Sequence, residues 1–147
     1  VNIHTIDMDI LPFQHTDASE VIKSDFFRLY ILNNIGGVWS DFDIIYTNNI
    51  ERYYNKQKLS REKNMIIYNY KDRGSAIYPV GMFISNKKNS VLSFILSHIN
   101  KFYNPNDYQC LGCSMFMKLF SDYDNKLKSF INQINLLIFL SKMQSVY

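Results

Sequence analysis

The hydrophobic positions in one stretch of the chain follow two periods, and the change between them falls at a pair of glycines, Gly36 and Gly37. Before the glycines, the apolar residues recur every three or four positions, as on a helix with one buried face: Ile22, Phe26, Leu29 and Tyr30. After the glycines, the pattern has a period of two over residues 38–46, which is typical of a strand. The sequence therefore predicts a helix, a glycine turn and a strand, in this order.

The ends of the predicted helix carry capping signals. Asp17 is a candidate N-cap, and Glu20, three residues later, is placed to complete a capping box. At the other end, Gly36 is a candidate C-cap. Two consecutive glycines also permit positive φ angles, and they let a ligand approach the backbone where a Cβ atom would block it.

Charged residues lie on both sides of the glycine turn. On the predicted helix, Asp25 and Arg28 are three positions apart, so their side chains are neighbours. On the predicted strand, Asp41 and Asp43 leave the same face, with their Cα atoms expected about 6.6 Å apart. Two aspartates this close repel each other unless a cation lies between them. Carboxylate oxygens favour a hard divalent ion such as Mg²⁺ or Mn²⁺.

Each of these features also has a simpler explanation. Asp25 and Arg28 are compatible with a solvated surface ion pair, worth about 0 to 1 kcal/mol. A lone D-x-D arises easily by chance at the exposed end of a strand, and the glycines fit a plain C-cap. The functional interpretation depends on the combination of all these residues, in one order and at fixed spacings.

The rest of the chain extends the prediction to a mixed α/β fold. Strands are expected at residues 65–70, at 76–85 as a pair or one bent strand, and at 131–140; helices are expected from Asn89 or Ser90 to Phe102 and from Ser114 to Phe120. The chain has 147 residues, 47% of them hydrophobic and 20% charged, which is the composition of one globular domain.

Composition excludes some partners and leaves location open. The net charge of +3 is mild, and no basic patch with interleaved aromatic residues predicts nucleic acid binding. The longest apolar run, Leu136 to Leu140, is far shorter than the ~20 residues of a membrane-spanning helix, and no signal-peptide pattern is present. The chain begins at Val1, so a cytoplasmic location and membrane association through segments outside this chain both remain open.

Other potential metal ligands are expected to be structural. Cys110 and Cys113 form C-L-G-C without a second ligand pair, which predicts two reduced thiols in a turn. Asp7 and Asp9 lack a preceding glycine turn, so we expect an irregular segment there and not a metal site. His98 lies beside a helical apolar stripe and is expected to have a structural role.

The charged and glycine positions together resemble the sugar-binding D-x-D region of a glycosyltransferase family. That family includes initiating α-mannosyltransferases of the yeast type, glucosylating bacterial toxins, and capsule and viral enzymes. Its pattern is S-D-x-x-R, a Leu four residues after the Arg, and G-G-x-Y-x-D-x-D. The matching residues are Ser24, Asp25, Arg28, Leu32, Gly36, Gly37, Trp39, Asp41 and Asp43. Trp39 is the one departure, since tyrosine is usual there. The match is close over residues 19–46 and loose over 76–120.

The resemblance implies a nucleotide-diphospho-sugar transferase fold of the GT-A type, with residues 1–147 expected to form the central part of an incomplete catalytic domain. It implies a UDP-sugar or GDP-mannose donor, a glycan, lipid or protein acceptor, and retention of the anomeric configuration. It also implies a phosphate contact near Gly112, at the start of a helix. In the implied site, the catalytic residues are Asp41 and Asp43, which also hold Mn²⁺ or Mg²⁺. The implied donor-binding residues are Asp25, Arg28, Gly36 and Gly37.

Three other functions were weighed against this one. A truncated, inactive sugar-nucleotide-binding remnant is the main alternative, because an incomplete site is poorly positioned for catalysis. An aspartyl-phosphate phosphatase needs a long apolar strand before its D-x-D, and only Val38 and Trp39 separate Gly37 from Ser40. A glycoside hydrolase needs carboxylates on opposite sides of a sugar ring, which neighbours on one strand face do not provide.

Overall fold

The computed structural model of the protein describes residues 11–49, 51, 65–67, 70–72 and 75–120. Its elements, in chain order, are α1 (Glu20–Asn34), β1 (Gly37–Ser40), β2 (Met65–Ile67), β3 (Tyr70–Asp72), β4 (Ser75–Ile77), β5 (Met82–Ser85), α2 (Ser90–Ser97), α3 (Ile99–Phe102) and α4 (Cys113–Phe120). The predictions for residues 1–10 and 131–140 lie outside the described residues. Within the described part of the chain, no helix has the length and apolar character needed to cross a membrane.

Helix α1 begins two residues later than the sequence predicted. Ser19, not Asp17, is the N-cap, and its Oγ accepts a hydrogen bond from the Ile22 N–H at 3.4 Å. Asp17 lies in the preceding turn, in which the Ala18 N–H donates a hydrogen bond to the His15 carbonyl. Glu20 therefore occupies the first helical turn, where it pairs with Lys23 at 3.1 Å. The predicted capping box between Asp17 and Glu20 is wrong.

The end of α1 follows the prediction closely. Ile35 is the C-cap, and Gly36 comes next with a φ of +78° and an N–H that bonds to the Leu32 carbonyl. Gly37 also has a positive φ, +108°. These angles suit glycine and strain other residues. The glycine pair therefore turns the chain from α1 directly into β1.

Strand β1 ends at Ser40, well before the predicted end at residue 46. The Asp41 N–H makes the last hydrogen bond to the segment beside β1, to the Gly81 carbonyl at 2.7 Å. The partner strand β5 starts only at Met82, so the chain beyond Asp41 has no strand to pair with and turns instead. The prediction of a strand over residues 41–46 is wrong, and strand alternation no longer places Asp41 and Asp43 on one face.

The strands form two small antiparallel sheets. The first has the order β1-β5-β2, with Trp39 opposite Phe83 and Ile66 opposite Ile84; the second pairs β3 with β4. Residues 76–85 contain two strands and not one bent strand, since the chain from Tyr78 to Gly81 separates β4 from β5; the two belong to different sheets and do not pair with each other. The predicted strand at 65–70 is divided between β2 and β3.

The helices after the sheet complete the core. Asn89 caps α2 through bonds to the Val91 and Leu92 amides, as predicted. The expected single helix is broken at His98, the C-cap of α2, whose φ of −119° and ψ of 19° are not helical. Helices α1 and α2 pack together beside the sheet. The largest fully buried side chains include Ile22, Leu29, Leu32, Phe83, Leu92, Ile95, Met115 and Phe116. The predicted mixed α/β class is therefore confirmed.

Candidate functional site

Arg28 on α1 is the centre of the charged cluster. Its Nη2 lies 3.1 Å from Asp25 Oδ1, and its Nη1 lies 3.5 Å from Asp41 Oδ1. The same Nη1 donates a hydrogen bond to the Val80 carbonyl at 2.6 Å. The side chains of Asp25 and Arg28 are only 5% and 8% exposed. The alternative of a solvated surface ion pair is therefore wrong.

Burial makes this ion pair expensive. Removing two charges from water costs several kcal/mol per ion, and their attraction often does no more than offset that cost. One N–H of the pair, Nε of Arg28, is buried and has no hydrogen-bond partner in the described part of the chain. Buried charge with an unsatisfied donor is a poor way to stabilise a core, and such arrangements are common at functional sites.

The carboxyl group of Asp25 is electrostatically perturbed. Burial raises its pKa to about 6, while the Arg28 guanidinium lowers the pKa and the charge of Asp41 raises it. The two effects that raise the pKa of Asp25 together outweigh the effect of Arg28, even though the ion pair with Arg28 is formed. Asp25 therefore changes its protonation state near neutral pH and not in the range of an ordinary aspartate.

Gly112 lies against the Asp25 carboxylate. A Cβ atom at Gly112 would lie 2.5 Å from Asp25 Oδ2 and 3.3 Å from Val80 Cγ2. Any residue larger than glycine would therefore displace the Asp25 carboxylate. The Gly112 and Ser114 amides both donate to the Gln109 carbonyl. Two of the amides in the predicted phosphate contact are thus already bonded within the protein. The geometry gives Gly112 a packing role beside Asp25.

Asp41 joins the cluster from the end of β1. Its Oδ1 accepts a hydrogen bond from Trp39 Nε1 at 2.7 Å and faces Arg28. Its Oδ2 faces Gly81, where a Cβ atom would approach to 3.1 Å, and accepts no hydrogen bond from any residue the structure describes. The side chain is 36% exposed. Asp41 thus keeps one oxygen available to a ligand.

The structure brings only some of the predicted site residues together. Asp25, Arg28 and Asp41 form one cluster. Asp43 is exposed in the turn after β1 and has no polar contact with another described residue. A Cβ atom on Gly36 would meet the Lys87 amide at 2.7 Å, so the protein's own backbone fills that space, whereas Gly37 faces open space. Of the two glycines, Gly37 leaves room for a ligand.

The comparison with family models decides the classification. The model described as capsular polysaccharide synthesis protein matches residues 3–141 of the 147. The chain belongs to the capsular polysaccharide synthesis protein family. This membership indicates a role in making capsular polysaccharide, with a sugar donor and a glycan acceptor in general. Searches of curated proteins and of solved structures gave no match.

Two carboxylates follow β1 in this capsular polysaccharide synthesis protein, Asp41 and Asp43. Among the described residues, no group of three or more His, Cys, Asp or Glu side chains is arranged to hold a metal ion. Mg²⁺ commonly binds through one or two carboxylates and completes its coordination with substrate phosphates and water. The free Oδ2 of Asp41 and the exposed carboxylate of Asp43 are oxygen donors of that kind.

Four groups shape the site of this family member in ways that the sequence pattern did not predict. Trp39 was noted only as a departure from the usual tyrosine, yet its N–H bonds to Asp41. Gly81 was predicted only as part of the strand region 76–85, and Gly112 only as a phosphate contact; their contacts with carboxylates come from tertiary packing. The Val80 carbonyl is a backbone group, and no residue pattern indicates which carbonyl an arginine will reach.

Proposed function

We propose that the protein is a glycosyltransferase that moves a sugar from a nucleoside diphosphate sugar to a growing capsular glycan, in a fold of the GT-A type. One observation carries the proposal. A buried Asp25–Arg28 pair on α1 reaches across the glycine turn to the first aspartate of D-x-D, Asp41. Three motif residues from the two sides of the glycine turn, Asp25, Arg28 and Asp41, therefore meet at one place. Family membership supplies the biological context.

Asp25 and Arg28 would bind the donor sugar. A sugar ring presents hydroxyl groups that both donate and accept hydrogen bonds, which suits a carboxylate next to a guanidinium. The unpartnered Arg28 Nε–H is buried, so a hydroxyl oxygen reaches it only if the groups that cover it move. Because both side chains are buried on a helix, they would fix the orientation of the ring without losing much side-chain entropy.

Asp43 and the free oxygen of Asp41 would hold Mn²⁺ or Mg²⁺. When bound, the ion acts as a Lewis acid that neutralises charge on the leaving diphosphate. The need for a cation follows from the charges present, since three carboxylates accompany one guanidinium in the motif. Such a site repels a diphosphate unless a cation lies between them. Retention of the anomeric configuration is the stereochemistry implied by the resemblance.

The first test is calorimetric titration of UDP-glucose, UDP-N-acetylglucosamine and GDP-mannose into the purified protein, with MnCl₂ and then with EDTA. We expect one donor to bind in Mn²⁺ and to lose most of its affinity in EDTA. Asp43→Asn should abolish the Mn²⁺ effect because it removes a ligand of the ion. Asp17→Asn, the same change in an exposed turn, is the matched control and should bind like the wild type.

The outcomes separate the proposed enzyme from an inactive remnant. Metal-dependent binding together with slow release of free UDP or GDP, lost in Asp43→Asn, supports the transferase. Metal-dependent binding without any turnover, in the presence of capsular glycan fragments, favours the remnant. If no donor binds, or if Asp43→Asn binds as well as the wild type in Mn²⁺, the proposed site is wrong.

A further inference from the structure

Trp39 contacts both charged groups at the centre of the site. Its indole Nε1–H donates to Asp41 Oδ1 at 2.7 Å, and the Arg28 guanidinium carbon lies 5.1 Å from the centre of its ring. The first contact is a charge-assisted hydrogen bond, and the second has the geometry of a cation–π interaction. A single side chain therefore holds an anion and a cation that lie only 3.5 Å apart.

We propose that Trp39 is a positioning residue that fixes the Asp41 carboxylate relative to Arg28; its importance for donor binding rests on the function proposed above. Asp41 needs such support because its strand has ended and its side chain is 36% exposed. The distance of 3.5 Å to Arg28 is long for a strong hydrogen bond. The indole N–H is the closer of the two partners, and it leaves Oδ2 free.

Trp39 itself is held rigidly. It lies on β1, in register with Phe83 of the central strand β5, and its ring meets the Phe27 ring edge-on at 5.9 Å between centres. A group on a paired strand, packed against a helix, has little freedom to move. The indole therefore fixes the Asp41 carboxylate relative to the sheet, although Asp41 itself lies outside the sheet.

A first experiment needs no ligand. Trp39 is the only tryptophan of the chain, so its indole N–H gives one signal in a ¹⁵N-correlated NMR spectrum. Asp41→Asn should shift this signal clearly, because the acceptor loses its charge, and should speed its exchange with water. Asp43→Asn removes the same kind of charge two residues further on and should leave the signal nearly in place. An indole signal that Asp41→Asn does not move overturns the proposal.

A second experiment measures the coupling directly. Urea unfolding of the wild type, Trp39→Phe, Asp41→Asn and the double variant forms a double-mutant cycle. Phenylalanine keeps an aromatic ring and removes the N–H. We expect Trp39→Phe to lower the folding equilibrium constant about tenfold more in the wild type than in the Asp41→Asn background. Equal losses in both backgrounds would mean that the indole only fills space.

The third measurement tests the consequence for the donor. Under conditions where Trp39→Phe is fully folded, its affinity for the donor found by titration should fall about tenfold, as for other supporting partners of a binding group. Val38→Ala, on the exposed side of the same strand, is the control and should bind normally. Unchanged affinity in Trp39→Phe overturns the positioning role. If the wild type binds no donor, the proposed function fails, while the NMR signal and the cycle still decide whether Trp39 holds Asp41.

Discussion

The carboxyl group of Asp25 is the residue whose chemistry departs most from that of a free side chain. Its pKa of about 6 results from burial, only partly offset by Arg28. An aspartate with a raised pKa binds its proton more tightly in the folded protein than in the unfolded chain. Its contribution to stability is therefore complete below the unfolded pKa of about 4, and it is lost as the pH rises through about 6.

This linkage gives a pH-dependent prediction. Between pH 4 and pH 7, ionisation of Asp25 should lower the free energy of unfolding by about 2 kcal/mol, because the shift is about two pKa units at 1.36 kcal/mol each and a part of its effect is already lost at pH 4. Asp25→Asn cannot ionise, so its stability should fall less over the same range. Urea unfolding at pH 4, 5, 6 and 7 measures the difference, with Asp17→Asn as the control. Parallel curves for the wild type and Asp25→Asn would contradict the perturbed pKa.

A second prediction concerns the residue that makes room for this carboxylate. Gly112→Ala places a methyl group 2.5 Å from Asp25 Oδ2, so the carboxylate must move. We expect a loss of about 1 to 3 kcal/mol in unfolding free energy and weaker donor binding. Ser114→Ala, at the same helix start, should change little. The cost of Gly112→Ala should shrink when Asp25 is also alanine; an equal cost in that background would show that the strain lies elsewhere.

At the scale of elements, the two glycines of the turn are constrained in different ways. Gly36 needs a positive φ and also lies against the backbone of residues 85–87, whereas Gly37 needs only the positive φ. Gly36→Ala should therefore destabilise the fold by about 2 to 4 kcal/mol, and Gly37→Ala by about 1 to 2 kcal/mol. Thermal or urea unfolding of the two variants measures both. A larger loss in Gly37→Ala would contradict this packing.

The same elements show how far the sequence predicts the structure. The order of helix, glycine turn and strand follows from local signals: a change in apolar period, and two residues that tolerate positive φ. The end of β1 could not be predicted, because it depends on where β5 begins, more than 40 residues later. The Asp25–Arg28 pair is local and was predicted. The contacts of Val80 with Arg28, of Gly112 with Asp25 and of Gly81 with Asp41 arise only on folding.

At the scale of the whole molecule, the site joins a helix, the end of a strand and two later turns within one mixed α/β unit. The match to the capsular polysaccharide synthesis family, over residues 3–141, includes every residue of the charged cluster. Helix α1 contributes both to the core and to the cluster: Ile22, Leu29 and Leu32 are buried on the helix that carries Asp25 and Arg28. Stability and the proposed sugar binding are therefore linked through one helix.

The bond from Arg28 to the Val80 carbonyl spans 52 residues of sequence. Every residue of the D-x-D pattern lies between Ser24 and Asp43, but the carbonyl that orients the arginine and the glycines that admit the carboxylates come from later in the chain. Contacts of such long sequence separation form only after the intervening loop has closed, at an entropic cost. Grafting the motif alone onto another scaffold would therefore transfer the residues without the site.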